Sequence, residues 1–110
     1  AVTGVQTCAL PIWTAYRSCW LELKSTVRPK RDASRLLTAH NMQPEQINWH
    51  RIRNAEYGVP TFVVIRDDQR QLYVINGVHA ERINEMTQPE ASALSVASSF
   101  GALWEVMRSL

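Results

Sequence analysis

Five consecutive residues, Thr61-Phe62-Val63-Val64-Ile65, constrain the fold more than any other stretch. Each is β-branched or aromatic, and none carries a charge. A strand with one wet face alternates apolar and polar residues; an unbroken apolar run marks a strand covered on both faces. Layers of structure therefore lie above and below it. The flanks agree with this. Pro44 to Tyr57 reads as a helix, with Pro44 suited to its first turn and Glu45 to its positive end. Gly58 supplies the stop and Pro60 follows. Downstream, Asp67-Asp68-Gln69-Arg70 reads as a turn and Gln71–Ile75 as the next strand, closed by Asn76-Gly77. Strands and helices together make the class expected α/β.

A second strand is expected over Thr14–Lys24. In extended chain successive side chains alternate faces, so Leu21 and Leu23 share one face with Cys19, while Trp20, Glu22 and Lys24 share the other. A strand that buries leucines while holding a carboxylate and an amine side by side suggests a site. Glu22 can bind a divalent cation through oxygen, and Lys24 can contact a phosphate beside it. Acids and lysines also alternate on many solvated strands, so Glu-x-Lys needs support from elsewhere. On the 44–57 helix Gln46, Trp49, His50 and Arg53 fall at i, i+3, i+4 and i+7, on one face. Trp49 reads as core packing, and His50 as a core or helix-surface histidine rather than a ligand.

The remaining segments are less constrained. Ser25–Met42 is loop-like, with a short helical turn at Arg35–Ala39. Glu81–Met86 suits a short helix. Thr87 and Glu90 have capping-box spacing and open a helix expected to run to the C-terminus. Its stripe of Leu94, Ala97, Phe100, Trp104 and Met107 suits a core or a partner helix.

Charge is uneven along the 110 residues, although the net charge is only +2. Between Arg17 and Arg53 lie eight basic residues against three acidic ones; from Asn54 onward there are four against seven. The basic half surrounds the Glu-x-Lys strand, as a polyanion-binding surface would require. No apolar run approaches the ~18 residues of a membrane span. Neither a CxxC pair nor a Cys/His spacing suited to zinc is present, and Cys8 and Cys19 do not make a disulfide framework. A reduced, cytoplasmic setting is the default expectation.

Three stretches together resemble the PD-(D/E)xK nuclease superfamily. The nearest likeness is to small phage and prophage members related to VRR-NUC and Holliday-junction-resolvase-like nucleases. Trp20-Leu21-Glu22-Leu23-Lys24 is similar to the (D/E)xK strand. Pro44-Glu45-Gln46-Ile47-Asn48-Trp49-His50 is similar to a Q-x-x-W helix. Gly58 to Arg66 is similar to the helix-to-strand exit. The resemblance spans roughly 18–75. It implies a restriction-endonuclease-like α+β core, a central mixed sheet flanked by helices, and hydrolysis of DNA phosphodiesters with Mg²⁺ or Mn²⁺. Glu22 and the Leu23 carbonyl would hold the metal. Lys24 would position the attacking water or stabilise developing charge. Gln46 would orient substrate or a metal-bound water. Arg28, Lys30, Arg31, Arg35 and Arg53 would hold the DNA backbone. A homodimer is compatible with the resemblance, and a membrane partner is not expected.

The family's first catalytic acid, an Asp on the strand before Glu-x-Lys, has no counterpart, since no Asp or Glu precedes Glu22. Residues 2–12, Val-Thr-Gly-Val-Gln-Thr-Cys-Ala-Leu-Pro-Ile, resemble the in-frame translation of a sequencing-library adapter. The expected division is therefore a non-native segment at 1–12, a partial nuclease-like core at 13–87 and a C-terminal amphipathic helix at 88–110. The core is expected to be incomplete at its N-terminus and the chain inactive through that loss. Two alternatives stand beside this reading. One is a thioredoxin-like domain with a cis-proline at Pro60 and Cys19 as its lone thiol. The other is a non-catalytic DNA-binding domain.

Overall fold

The structure is a computed structural model that describes residues 8–13, 18–31, 33–37 and 41–110, with 8–13 and 18 by backbone alone. Four strands form one sheet in chain order: β1 (Cys8–Trp13), β2 (Ser18–Thr26), β3 (Thr61–Asp67) and β4 (Leu72–Asn76). β1 runs antiparallel to β2, β2 parallel to β3, and β3 antiparallel to β4. The mixed α+β class expected from the sequence is thus present.

The parallel pair needs a long crossover. Helix α1 (Pro44–Ala55) supplies it. Gly58, in the left-handed region at φ 61°, turns the chain out of α1. The Val59 N–H donates to the Arg53 carbonyl across that turn, and Trp20 N–H donates to the Pro60 carbonyl where β3 begins. The β3–β4 hairpin turns on Asp67, whose Oδ1 accepts from the N–H groups of Gln69 and Gln71 at 2.9 and 2.8 Å. Arg70 takes a positive φ there.

The period-two alternation sorts the sheet into two faces. Leu21 of β2, Phe62 and Val64 of β3, and Leu72 and Val74 of β4 pack with Cys19, Ala97, Leu103 and Met107. Val63, Ile65, Tyr73 and Ile75 pack on the other side with Leu36, Leu37, Met42, Ala80, Ile83, Met86 and Ala91. β3 is buried from Thr61 through Ile65, as its composition requires. The 27–42 connection is held by specific bonds. Thr26 Oγ1 donates to the Leu36 carbonyl, Leu36 N–H donates to the Met86 carbonyl, and the Asn84 amide bonds both N–H and carbonyl of Met42.

Several expected elements differ. Arg35 forms an isolated bridge with Thr87 and Leu36 forms a bend in place of a helical turn, while Thr38 and Ala39 lie outside the described residues. Thr14–Arg17, the start of the expected second strand, also lie outside them. Gly77–Glu85 is a 3₁₀ helix, longer than the expected 81–86 helix. The C-terminal helix divides into α2 (Gln88–Leu94) and α3 (Phe100–Arg108). Between them Ser95 and Val96 bond the outer edge of β4 at Val74. The stripe divides with it: Leu103 and Met107 are buried, whereas Phe100 and Trp104 are exposed. Cys8–Trp13, which overlaps the adapter-like stretch, forms the edge strand β1. Strand pairing uses backbone groups, so an edge position tolerates many sequences.

Candidate functional site

Glu22 and Lys24 project from the face that α1 covers, and both are buried, at 0% and 5% exposure. Trp20, two residues earlier on that face, meets Trp49 of α1 edge-on, with ring centroids 5.7 Å apart. Trp49 is half-buried and belongs to neither core cluster, so it sits at the rim, between Trp20 and Arg53, and not in the core expected for it. One residue on, His50 places Nε2 3.4 Å from Glu22 Oε1, with both side chains fully buried. Despite that proximity neither Glu22 oxygen has a hydrogen bond, nor has His50 Nε2. Lys24 Nζ reaches the Asn41 carbonyl at 3.4 Å. Its pKa is lowered by burial, with the neighbouring Glu22 charge acting the other way.

The other nitrogen of His50 is firmly held. Nδ1 lies 2.7 Å from Thr61 Oγ1, the first residue of β3. Asn54, one turn along α1, donates its amide to the same Oγ1 at 2.7 Å and to the His50 carbonyl at 2.8 Å. Gly77 closes this cluster. A Cβ there would overlap Thr61 Oγ1 and stand 2.8 Å from His50 Nδ1. The sequence of the 3₁₀ helix thus begins with glycine because the Thr61–His50–Asn54 bonds occupy the space a side chain needs. His50 is the residue whose part in the site the sequence reading missed. Helical spacing puts His50 on the Gln46 face but does not say that this face meets Glu22; the structure does.

Gln46 is also buried, at 1% exposure, on the same face of α1. Its Oε1 accepts the Gln43 N–H at 2.7 Å. That bond is helix capping, so part of Gln46's role is structural. Leu23, whose carbonyl was expected to help hold a metal, lies mid-sheet with Cys8 and Val64 as its register partners. Its side chain packs with the opposite core.

The basic residues fall at two ends of β2. Arg28, Lys30, Arg31 and Arg35 are exposed and follow its C-terminal end. Arg28 donates its N–H to Asp68 and its guanidinium to Gln69 of the β3–β4 turn. Arg35 pairs with Glu85 at 3.2 Å, with both side chains exposed. Arg53 instead stacks over Trp49 and Tyr57, at 5.3 and 5.6 Å from their centroids. Trp49 lies by Trp20, so Arg53 belongs to the N-terminal end of β2. Thr26 lies six positions along the strand from Trp20, about 20 Å at ~3.3 Å per residue.

Mg²⁺ favours oxygen donors in octahedral geometry. Among the described residues no group of three or more His, Cys, Asp or Glu side chains comes together. The donors facing one another are a single carboxylate and an imidazole. That set does not fit Mg²⁺.

The cis-proline expected under the thioredoxin-like alternative is not present. No described peptide bond is cis, so Pro60 is trans. Cys19 is a buried free thiol in the α3-side core, and burial pushes its pKa up. No described helix is long and apolar enough to cross a membrane. Comparisons with protein-family models, with curated proteins and with solved structures give no match.

Proposed function

We propose that this chain is the core of a PD-(D/E)xK-type DNA endonuclease, able to bind DNA but lacking the second acid needed for efficient cleavage. The observation that carries this reading is the burial of Glu22 and Lys24 side by side beneath α1, with the carboxylate left without a hydrogen bond. A solvated strand face would leave both charges in water. A purely structural pair would satisfy its oxygens, because an unbonded buried polar group is costly. A site waiting for further ligands accounts for both features.

β1 is where the missing acid belongs. Ala9 is the register partner of Glu22 across the β1–β2 pair. Directly paired residues have Cβ atoms about 5 Å apart. A second carboxylate at position 9 would complete an oxygen-rich pair, while Lys24 stays beside it on β2. Lys24 then serves as the fixed cation near the phosphate, and Gln46 as a positioning group from α1.

The exposed basic residues supply a sequence-independent phosphate term. Binding of a labelled duplex is therefore expected to be weak and to fall steeply with salt. Replacing Arg28, Lys30 and Arg31 together by Ser is expected to lower the log–log salt slope by about 3, near 0.9 for each phosphate no longer neutralised. An unchanged slope in fluorescence anisotropy would remove this segment from the DNA surface.

A further inference from the structure

Trp20, Trp49, Arg53 and Tyr57 make a continuous row of flat groups at the N-terminal end of β2. Trp20 meets Trp49 with ring centroids 5.7 Å apart, and the Arg53 guanidinium carbon lies over Trp49 and Tyr57 at 5.3 and 5.6 Å. The first three are half-buried, whereas Tyr57, which ends the row, is 65% exposed. We infer that this row is a stacking platform for unpaired nucleobases, so that the DNA this chain takes is a duplex carrying a single-stranded extension. The inference rests on the DNA-binding reading above and names the class of DNA.

Preorganisation is the first argument. Tyr57 lies just past the end of α1, yet its backbone is held. Its N–H donates to the Ile52 carbonyl at 3.3 Å, and the Val59 N–H donates to the Arg53 carbonyl at 2.8 Å across the left-handed Gly58. Arg53 supports the ring itself. A ring already held loses little freedom when a ligand lies on it. The chemistry of the surface is the second argument. Every base has a π-face, so an exposed aromatic ring accepts a base of any sequence, and an arginine stacked beside it adds a cation–π contribution. Bases inside a duplex are already stacked above and below. An unpaired base has a face to offer.

Local charge is the third argument. Along α1 and the turn after it, Arg51 and Arg53 are balanced by Glu45 and Glu56. The platform is therefore no phosphate surface of the kind made by Arg28, Lys30 and Arg31; it suits the uncharged faces of bases. About 20 Å of β2 separates the two surfaces. A phosphate-binding surface at one end of a strand and a stacking surface at the other suit a DNA with two parts, a duplex arm and an unpaired strand.

The test is fluorescence anisotropy of the whole chain with two labelled DNAs that share one duplex. One is extended by three unpaired adenines and the other by three abasic residues, which keep the phosphates and lack the bases. The adenine extension is expected to bind about tenfold more tightly than the abasic one. That ratio is expected to hold as salt is raised, because stacking releases no counterions, while both affinities fall. Tyr57→Ala is expected to abolish the ratio and leave the abasic-extended DNA bound as before; Tyr57→Phe is expected to preserve it. Equal binding of the two DNAs by the unaltered chain overturns the inference and leaves the duplex reading standing, whether or not a variant folds. So does a Tyr57→Ala protein that keeps the ratio, or one that weakens both DNAs alike. Binding of neither DNA overturns the inference and the DNA-binding reading together.

Discussion

At the scale of single residues, the densest constraints gather on Gly77. Its α-hydrogens face the Thr61–His50–Asn54 cluster, and any Cβ would displace one of those groups. Gly77→Ala is expected to destabilise the protein by ~1–3 kcal/mol, the usual cost of overpacking a filled site. Urea denaturation would report it as a lower midpoint with an unchanged slope. Lys24 makes a prediction of a different kind. Burial lowers its pKa from the ordinary lysine value, and the Glu22 charge opposes that shift. The folded protein therefore releases this proton at a lower pH than the unfolded chain. Between the folded and unfolded values the unfolded state holds more protons, so stability rises with pH there. Below the folded value the cost of the buried ammonium is felt in full. Lys24→Met is expected to remove that alkaline rise, leaving the variant flatter than the parent in urea titrations carried from neutral pH towards 10.5. Equal slopes in both proteins would show that Lys24 contributes no such linkage.

At the scale of elements, legibility followed the strength of periodic burial. β3 was plain because five unbroken apolar residues admit few other readings. Helix α1 was plain from Pro44, Glu45 and Gly58, and it occupies Pro44–Ala55. The face shared by Trp20, Glu22 and Lys24 was also legible, because strand alternation fixes it without tertiary information. The C-terminal region was not. Leu94 to Met107 keeps helical spacing, which hides the break; its one local sign is Ser99, which caps α3 by accepting the Ala102 N–H. The break comes from the tertiary structure, where β4 offers an unpaired edge. Ser95 Oγ accepts the Val74 N–H at 2.9 Å and donates to the Ala97 carbonyl at 2.6 Å, and Val96 N–H bonds the Val74 carbonyl. Capping that edge outweighs one more turn of helix. Ser95→Ala is expected to cost ~1–3 kcal/mol, because the Val74 N–H loses its acceptor. Hydrogen exchange at Val74 would rise with it. His50 was missed for a related reason: its pairing with Glu22 depends on how α1 lies across the sheet, which spacing along the helix does not give.

At the scale of the molecule, the sheet places a carboxylate and an amine under a helix and leaves the neighbouring strand to provide the rest. β1 meets β2 in a register that sets Ala9 opposite Glu22. This explains how one chain can hold the Glu-x-Lys strand, the helix over it and the basic loop after it, yet gather no set of metal-binding side chains suited to Mg²⁺ among its described residues. On the proposed reading, one acid separates this arrangement from a working nuclease site. The most direct measurement is nicking of supercoiled plasmid with Mg²⁺ or Mn²⁺ by the parent chain, by Ala9→Asp, and by Ala9→Asp combined with Glu22→Ala or Lys24→Ala. The account predicts no appreciable nicking by the parent, metal-dependent nicking by Ala9→Asp, and its loss in both combined variants. A folded Ala9→Asp protein that binds DNA but nicks no faster than the parent, or nicking that persists without Glu22 and Lys24, would contradict it.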